Sequence, residues 1–330
     1  MTADPSAALL LSRELPFDVV RRDRDSRLQR VRAGVYLRKD IWVGLKPWER
    51  YRMRVLAVVR TWKAPVFCLE SAAVLQGLPI FGEPAHIHVL SADGRSWSEG
   101  DVVVHGSTDD RKVSDAVGHC ATSITETAVD LARVLPPAFA LAVVDAAARI
   151  LVAGGGSLDV SAHGRSQANR RGVRQLDWVH ARATAESESA GESVSRAVIE
   201  WLGHEEPEPQ REFFYEGVTD RCDFYCRRLR IIGESDGYGK YDTADPKAMK
   251  AHFVREKQRE DRLRRNEGGF ARWDWGDTLR FEALDGKLRD AGLVPLYPRQ
   301  PWLLSTLAHN PRSTVRPTGR QPRVERASAR

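Results

Sequence analysis

Apolar positions along this chain repeat at two spacings, every second residue in some stretches and every third or fourth in others, and the change of period marks the elements. In RLQRVRAGVYLRKD two short alternating runs flank Ala33-Gly34, which predicts a β-hairpin. WERYRMRVLAVVRTW puts Tyr51, Val55, Val58, Val59 and Trp62 on one helical face, and LESAAVLQGLPI predicts a shorter helix stopped by Gly77 and Pro79. HIHVLS and DVVVHGS alternate like strands. Ser123 with Glu126 three residues on forms a capping box for a helix through Arg133, and an Ala-rich helix from 137 to 152 stops at Gly154. Asp130 and Asp145 lie in these helices and are expected to be surface or paired acids rather than catalytic ones. HGRSQANRRGVRQLDWVHARATAESESAG has helical tendencies but a poor apolar face, so a linker is expected there.

From Glu186 the pattern tightens: a helix in ESAGESVSRAVIEWLG, a strand in QREFFYEG, a hairpin in DRCDFYCRRLRIIGESDG, and a charged helix from 247 to 266 ended by Gly268-Gly269. Strand FARWDW and helix DTLRFEALDGKLRDAG complete it. Trp273 and Trp275 are expected in the core. The whole reads as α/β (α+β), with a region at 1–85, a mixed helix and strand region at 86–160, a linker at 161–185, a sheet domain at 186–300 and a polar tail at 311–330.

Composition changes this picture little. Of the net charge of +6, the last twenty residues carry six arginines and one glutamate, so the body is near neutral and the tail is the basic part, of disordered composition. Such a tail either adds nonspecific phosphate affinity or is a solvated terminus. No apolar run is long enough to cross a membrane and the first residues lack a secretory leader, so a cytoplasmic protein is expected. Four scattered cysteines fit a reducing compartment, and Cys222 with Cys226 lacks the second pair a zinc site needs.

The hairpin at 220–241 carries the candidate chemistry. With Arg227-Arg228 as a two-residue turn, Asp223 opposes Ile232, and Ile232, Glu234 and Asp236 share the face that carries Asp223. Acids gathered there can share one hard cation, Mg²⁺ being the expected one, which would polarise a phosphate and activate a water. Lys240 would balance charge or steady that water. Gly233, Gly237 and Gly239 around the acids suggest close approach by a ligand or another element. The competing reading is an exposed polar face. In the charged helix, Glu256, Arg259, Glu260 and Asp261 are expected to form a solvated face of ion pairs, with phosphate binding by Lys257, Arg259 and Arg262 as the alternative.

GESVSRAVIEWLG, PEPQREFFYEGVTDRCDFYCRRLRIIGESDGYGKY and REKQREDRLRRNEGGFARWDWGD together resemble the PD-(D/E)XK nuclease superfamily, and more narrowly the small domains related to very-short-patch-repair endonucleases. That resemblance implies a restriction-endonuclease-like mixed sheet flanked by helices, with Glu192, Asp223 and Glu234 as metal ligands. Asp236 stands where the superfamily usually has lysine, and Lys240 follows four residues later. The front half, RVRAGVYL, ESAAVLQGLPI, HIHVLS, VVVHGS and SITETAVDLARVL, resembles AbiE-type antitoxins of type IV toxin–antitoxin systems. By that likeness the N-terminal region is winged-helix-like, its hairpin would be a wing, and Arg30, Arg32, Arg38 and Lys39 would touch DNA phosphates. Two functions are therefore expected in competition. One is a Mg²⁺-dependent DNA endonuclease with Glu192, Asp223, Glu234, Asp236 and Lys240 in its site. The other is a non-catalytic antitoxin or transcriptional regulator, with DNA and a cognate toxin as candidate partners. Neither needs a small-molecule cofactor or a membrane, and a structural protein with neither activity is the third alternative.

Overall fold

The Ala33-Gly34 hairpin forms where the alternation predicts it: β2 (Leu28–Arg32) pairs antiparallel with β3 (Val35–Arg38), and Gly34 takes the left-handed φ of 74° that the turn requires. A two-residue strand, β1 (Leu10–Leu11), completes this sheet in the order β1-β3-β2. The computed structural model describes residues 5–15, 27–236 and 246–315; the side chains described exclude those of 5–6 and 246–253. Its fold is mixed α/β, and it divides into two compact units. One comprises Met1–Leu135, Ala146–Ala183 and Pro311–Thr314; the other comprises Pro136–Asp145, Thr184–Asn310 and Val315–Arg330.

In the first unit, α1 (Lys39–Gly44) and α2 (Pro47–Thr61) follow the hairpin. Helix α2 starts on Pro47, whose fixed φ suits a first turn, and buries Tyr51, Val55 and Val58. A six-stranded mixed sheet runs in the order β6-β7-β5-β4-β9-β8, from β4 (Val66–Phe67), β5 (Ile87–Leu90), β6 (Trp97–Glu99), β7 (Val102–His105), β8 (Val113–Asp115) and β9 (Cys120–Thr122). Helix α3 (Leu69–Gln76) ends at Gly77 in the left-handed conformation, as expected. Ser123 caps α4 (Ile124–Val134), its Oγ accepting the Glu126 N–H at 3.3 Å. The Ala-rich α5 spans Pro137–Ala153, and only its part from Ala146 is counted in this unit. Residues 161–185, expected as a linker, carry most of α6 (Val160–Ser166) and all of α7 (Val173–His180), both counted within the first unit. Pro311–Thr314, inside the expected tail, also belongs to it, and Arg312 reaches the Glu70 carboxylate. Asp130 is a paired acid, bonded to Arg111.

The second unit holds α8 (Ala190–Trp201), β10 (Glu208–Pro209), β11 (Glu212–Tyr215), β12 (Val218–Arg221), β13 (Phe224–Cys226), β14 (Ile231–Asp236), α9 (Pro246–Asn266), β15 (Gly269–Asp274), α10 (Trp275–Leu279), α11 (Phe281–Asp290) and α12 (Pro301–Ser305). The sheet order is β10-β13-β14-β15, antiparallel except for the parallel pair β14·β15; β11 and β12 form a separate ribbon. One face of this sheet carries Phe224, Gly233 and Trp273, whose indole N–H donates to Ser195 of α8 at 2.9 Å. The other face packs Tyr225, Ile232 and Phe270 against Leu263 of α9.

Trp273 is core, as expected, whereas Trp275 is half-buried and opens a helix. Its ring stacks on Phe139, with centroids 6.3 Å apart and planes inclined by 28°. Asp145, like Asp130, is a paired acid: it is fully buried and 3.2 Å from Arg196. Among the described residues, no helix is long and apolar enough to cross a membrane.

Candidate functional site: an acid cluster closed by an arginine

The hairpin register differs from expectation by two residues. Phe224 pairs with Gly233, Tyr225 with Ile232 and Cys226 with Ile231, because the connection is the four-residue stretch Arg227–Arg230 rather than a two-residue turn. Extending that ladder by one step sets Asp223 opposite Glu234 instead of Ile232. A shift of two preserves the alternation, so Asp223 and Glu234 still share a face, now directly across from each other. Arg230, in the left-handed region at φ 56°, closes the loop. Gly233 is explained by its own sheet: a Cβ there would lie 2.5 Å from the Trp273 ring, so the close approach comes from a core side chain. Gly237, Gly239 and Lys240 lie outside the described residues.

Each acid has a definite set of partners. Asp223 Oδ2 accepts the Ser235 N–H at 2.8 Å. Glu192 sits in the first turn of α8, where Ser189 Oγ accepts its N–H at 3.1 Å, and its own Oε2 accepts the Glu188 N–H at 2.8 Å and the Gln210 amide at 2.9 Å. The cap of α8 is Ser189, and the Glu192 carboxylate is held by its neighbours rather than left open. Glu234 is buried and bound on both oxygens by Arg259 of α9, Nη1 to Oε1 at 2.9 Å and Nη2 to Oε2 at 3.0 Å. This two-pronged geometry is the strongest that a guanidinium and a carboxylate form. Arg259 is braced in turn by Glu256 at 2.7 Å and by the Arg221 carbonyl at 2.7 Å. Asp236 is half exposed, 3.7 Å from Arg272, which also bonds Glu256 at 2.9 Å.

Electrostatics tie three of these groups together through Asp223. Burial lifts the Glu192 carboxyl above its usual range, and the charge of Asp223 adds to the rise. Burial pushes Glu234 up to about 7, with the bonds from Arg259 opposing and the charge of Asp223 reinforcing it. An acid with a raised folded pKa binds more protons folded than unfolded, so its contribution to stability is present below about 4.3 and is lost as pH rises through the folded value. For Glu234 a rise of this size corresponds to on the order of 3 kcal/mol. Glu234→Gln is therefore expected to flatten the dependence of stability on pH between 5 and 8. Urea unfolding of both proteins across that range checks this, and parallel curves would contradict it.

A divalent ion is what the acid pattern leads one to expect; the described carboxylates are engaged by protein groups as follows. Glu234 has both oxygens on a guanidinium, Glu192 accepts from the Glu188 N–H and the Gln210 amide, and no group of three or more His, Cys, Asp or Glu that could hold a metal ion is found among the described residues. The cation beside Glu234 is Arg259. Sequence patterning assigns that arginine to a solvated face, yet Arg259, Arg262 and Leu263 form one stripe of α9 that meets the strands. Arg262 binds Asp220 in the same two-pronged way, at 2.6 and 2.7 Å. The spacing of two arginines beside an apolar residue is the local signal for that stripe; which acids it meets is set by the fold.

On the N-terminal hairpin the four expected phosphate contacts separate into two kinds. Arg32 donates to Asp101 at 3.0 Å and Arg38 bonds Asp40, so both are engaged within the protein. Arg30 and Lys39 are exposed.

No protein-family model matches the chain, and no solved structure matches it. Two curated proteins do: uncharacterized protein MT2308 of Mycobacterium tuberculosis (strain CDC 1551 / Oshkosh) and uncharacterized protein Rv2248 of Mycobacterium tuberculosis (strain ATCC 25618 / H37Rv). Each is 29% identical to this chain over 197 residues, which cover 59% of the chain and 68% of the relative.

Proposed function

We propose that the chain is a non-catalytic DNA-binding protein of the regulator or antitoxin type, in which the second unit keeps the frame of a PD-(D/E)XK nuclease but not a working metal site. The observation that carries this is the two-pronged bond of Arg259 to the buried Glu234. Separating a buried ion pair costs about 3–5 kcal/mol, and Mg²⁺ gives up its water reluctantly, so the ion would have to displace a well-placed cation. The frame itself is supported by element order: helix α8, the three sheet strands β10, β13 and β14 interrupted by the β11–β12 ribbon, helix α9, and a fourth sheet strand, β15, parallel to β14. On this reading the exposed Arg30 of a wing-like hairpin and Lys39, the first residue of α1, supply phosphate contacts, and a cognate toxin is the candidate protein partner by the front-half resemblance.

The test compares cleavage with binding. Purified protein is expected to leave plasmid and oligonucleotide DNA intact with Mg²⁺ or Mn²⁺ while shifting duplex DNA in a salt-sensitive manner. Asp223→Ala is expected to change that shift less than twofold. Cutting that requires a divalent ion and disappears in Asp223→Ala would overturn the proposal. It would favour the second reading, metal-dependent phosphodiester hydrolysis, which has its own support in the coupling of Asp223 to both Glu192 and Glu234.

A further inference from the structure

Helices α6 and α7 occupy a stretch whose sequence predicts a linker, and polar bonds as well as a small apolar side hold them in place. Gln175 donates to the carbonyls of Ala132 and Leu135 at 2.6 and 2.8 Å, and Arg133 of α4 donates to the Gly164 carbonyl at 2.8 Å and to Gln167 Oε1 at 3.0 Å. Gly172 opens α7 at φ 76°, and a Cβ there would press on the Arg133 backbone at 3.0 Å. Val160, Gly164, Leu176 and Val179 are the buried side of the pair. A short helix, a turn held against a third helix and a second helix thus form one supported corner.

The outer side of that corner carries an excess of arginines, with Asp109 accepting the Ala168 N–H and Asp159 the Ala162 N–H, each at 2.8 Å. Residues 160–182 contain five arginines and a single acid, Asp177. Arg165, Arg170, Arg171 and Arg174 are all exposed. Asp177 is already taken by Arg165 at 2.6 Å and Ser161 at 2.7 Å. Arg170 donates to the Arg165 carbonyl at 2.6 Å, and neither Arg171 nor Arg174 has an acid partner among the described residues. None of the exposed large apolar side chains falls in this stretch. A protein partner would be expected to find an aromatic or aliphatic anchor at the centre of its patch, whereas phosphate contacts need only charge and donors.

From the exposed arginines on a braced helical corner, we infer that Arg170, Arg171 and Arg174 form a docking surface for the phosphate backbone of duplex DNA. This rests on the DNA-binding reading and locates its main contact away from the N-terminal hairpin. Removing one phosphate contact lowers the slope of log K against log salt by about 0.9, so the triple variant Arg170→Gln, Arg171→Gln, Arg174→Gln is expected to lower it by about 2–3. Affinity should fall for every duplex sequence alike. All three side chains are exposed, and an unchanged circular dichroism melt confirms that the variant folds.

The experiment titrates the full chain and the triple variant with one labelled duplex at several salt concentrations. A second variant, Arg30→Gln with Lys39→Gln, an RNA hairpin and an acidic peptide run alongside. A reduced slope in the triple variant, larger than that in the hairpin variant, bears the inference out. If the full chain binds the duplex and the triple variant binds with the same slope, the inference is overturned and the DNA-binding reading stands. Preference for RNA or the peptide, abolished in the triple variant, overturns the duplex as partner. Absence of any duplex binding by the full chain at low salt overturns the DNA-binding reading and this inference with it.

Discussion

Arg259→Gln is expected to destabilise the second unit by about 3–5 kcal/mol at pH values where Glu234 is ionised, because it leaves a buried carboxylate without its cation, and by less where Glu234 is protonated. Glu234 is only 7% exposed and receives both of its bonds from this guanidinium, while Glu256 loses its bond at 2.7 Å and keeps the one from Arg272. A glutamine cannot restore two parallel charged bonds. Hydrogen exchange of the β14 amides reads the loss within the second unit, and a change below about 1 kcal/mol, the range of an exposed pair, would contradict it. The double variant Arg259→Gln, Glu234→Gln should recover part of the loss, since no lone charge from Glu234 remains buried. Non-additivity of that kind distinguishes a specific pair from general damage to α9.

In the first unit the largest effect is expected from Arg312→Met. Arg312 bonds Glu70 through both Nε and Nη2, and Nη2 also lies 3.0 Å from His88 Nε2. Glu70 is 3% exposed. Burial, followed by the charge of Arg312, pushes the His88 imidazole down to about 2, so in the native chain the histidine is neutral and Arg312 is the cation beside Glu70. The N-terminus of α3 offsets only part of the stranded charge on Glu70. The expected loss is again about 3–5 kcal/mol, read from hydrogen exchange of the β5 amides. Protection unchanged in Arg312→Met would show that the pair adds nothing. Addition of Glu70→Gln should return part of the stability.

Much of the fold is legible where apolar residues repeat over three or more turns of helix, as in α2, α4, α5 and α8, and where alternation flanks a glycine turn, as in β2 and β3. The two- and three-residue strands β4, β6, β8 and β9 are not, because a period cannot be read from so few positions. Helices α6 and α7 escape the pattern for a different reason: their inner side is held by Gln175 and Arg133, so few apolar residues mark it. The acidic face of the hairpin is legible because side-chain alternation survives an error of two residues in register. Its closure by Arg259 is not, since Glu234 and Arg259 are distant in sequence and belong to different elements. Trp275 continues the strand alternation, but Asp274 caps a helix there, its carboxylate accepting the Asp277 N–H at 2.7 Å.

On the proposed function, the guanidinium of Arg259 and no divalent ion neutralises Glu234. Calorimetric titration of Mn²⁺ into the full chain, with Arg259→Gln in parallel, tests it most directly. The account predicts no saturable heat for the native chain and a new, weak site in Arg259→Gln; a stoichiometric site in the native chain that vanishes in Asp223→Ala would contradict it.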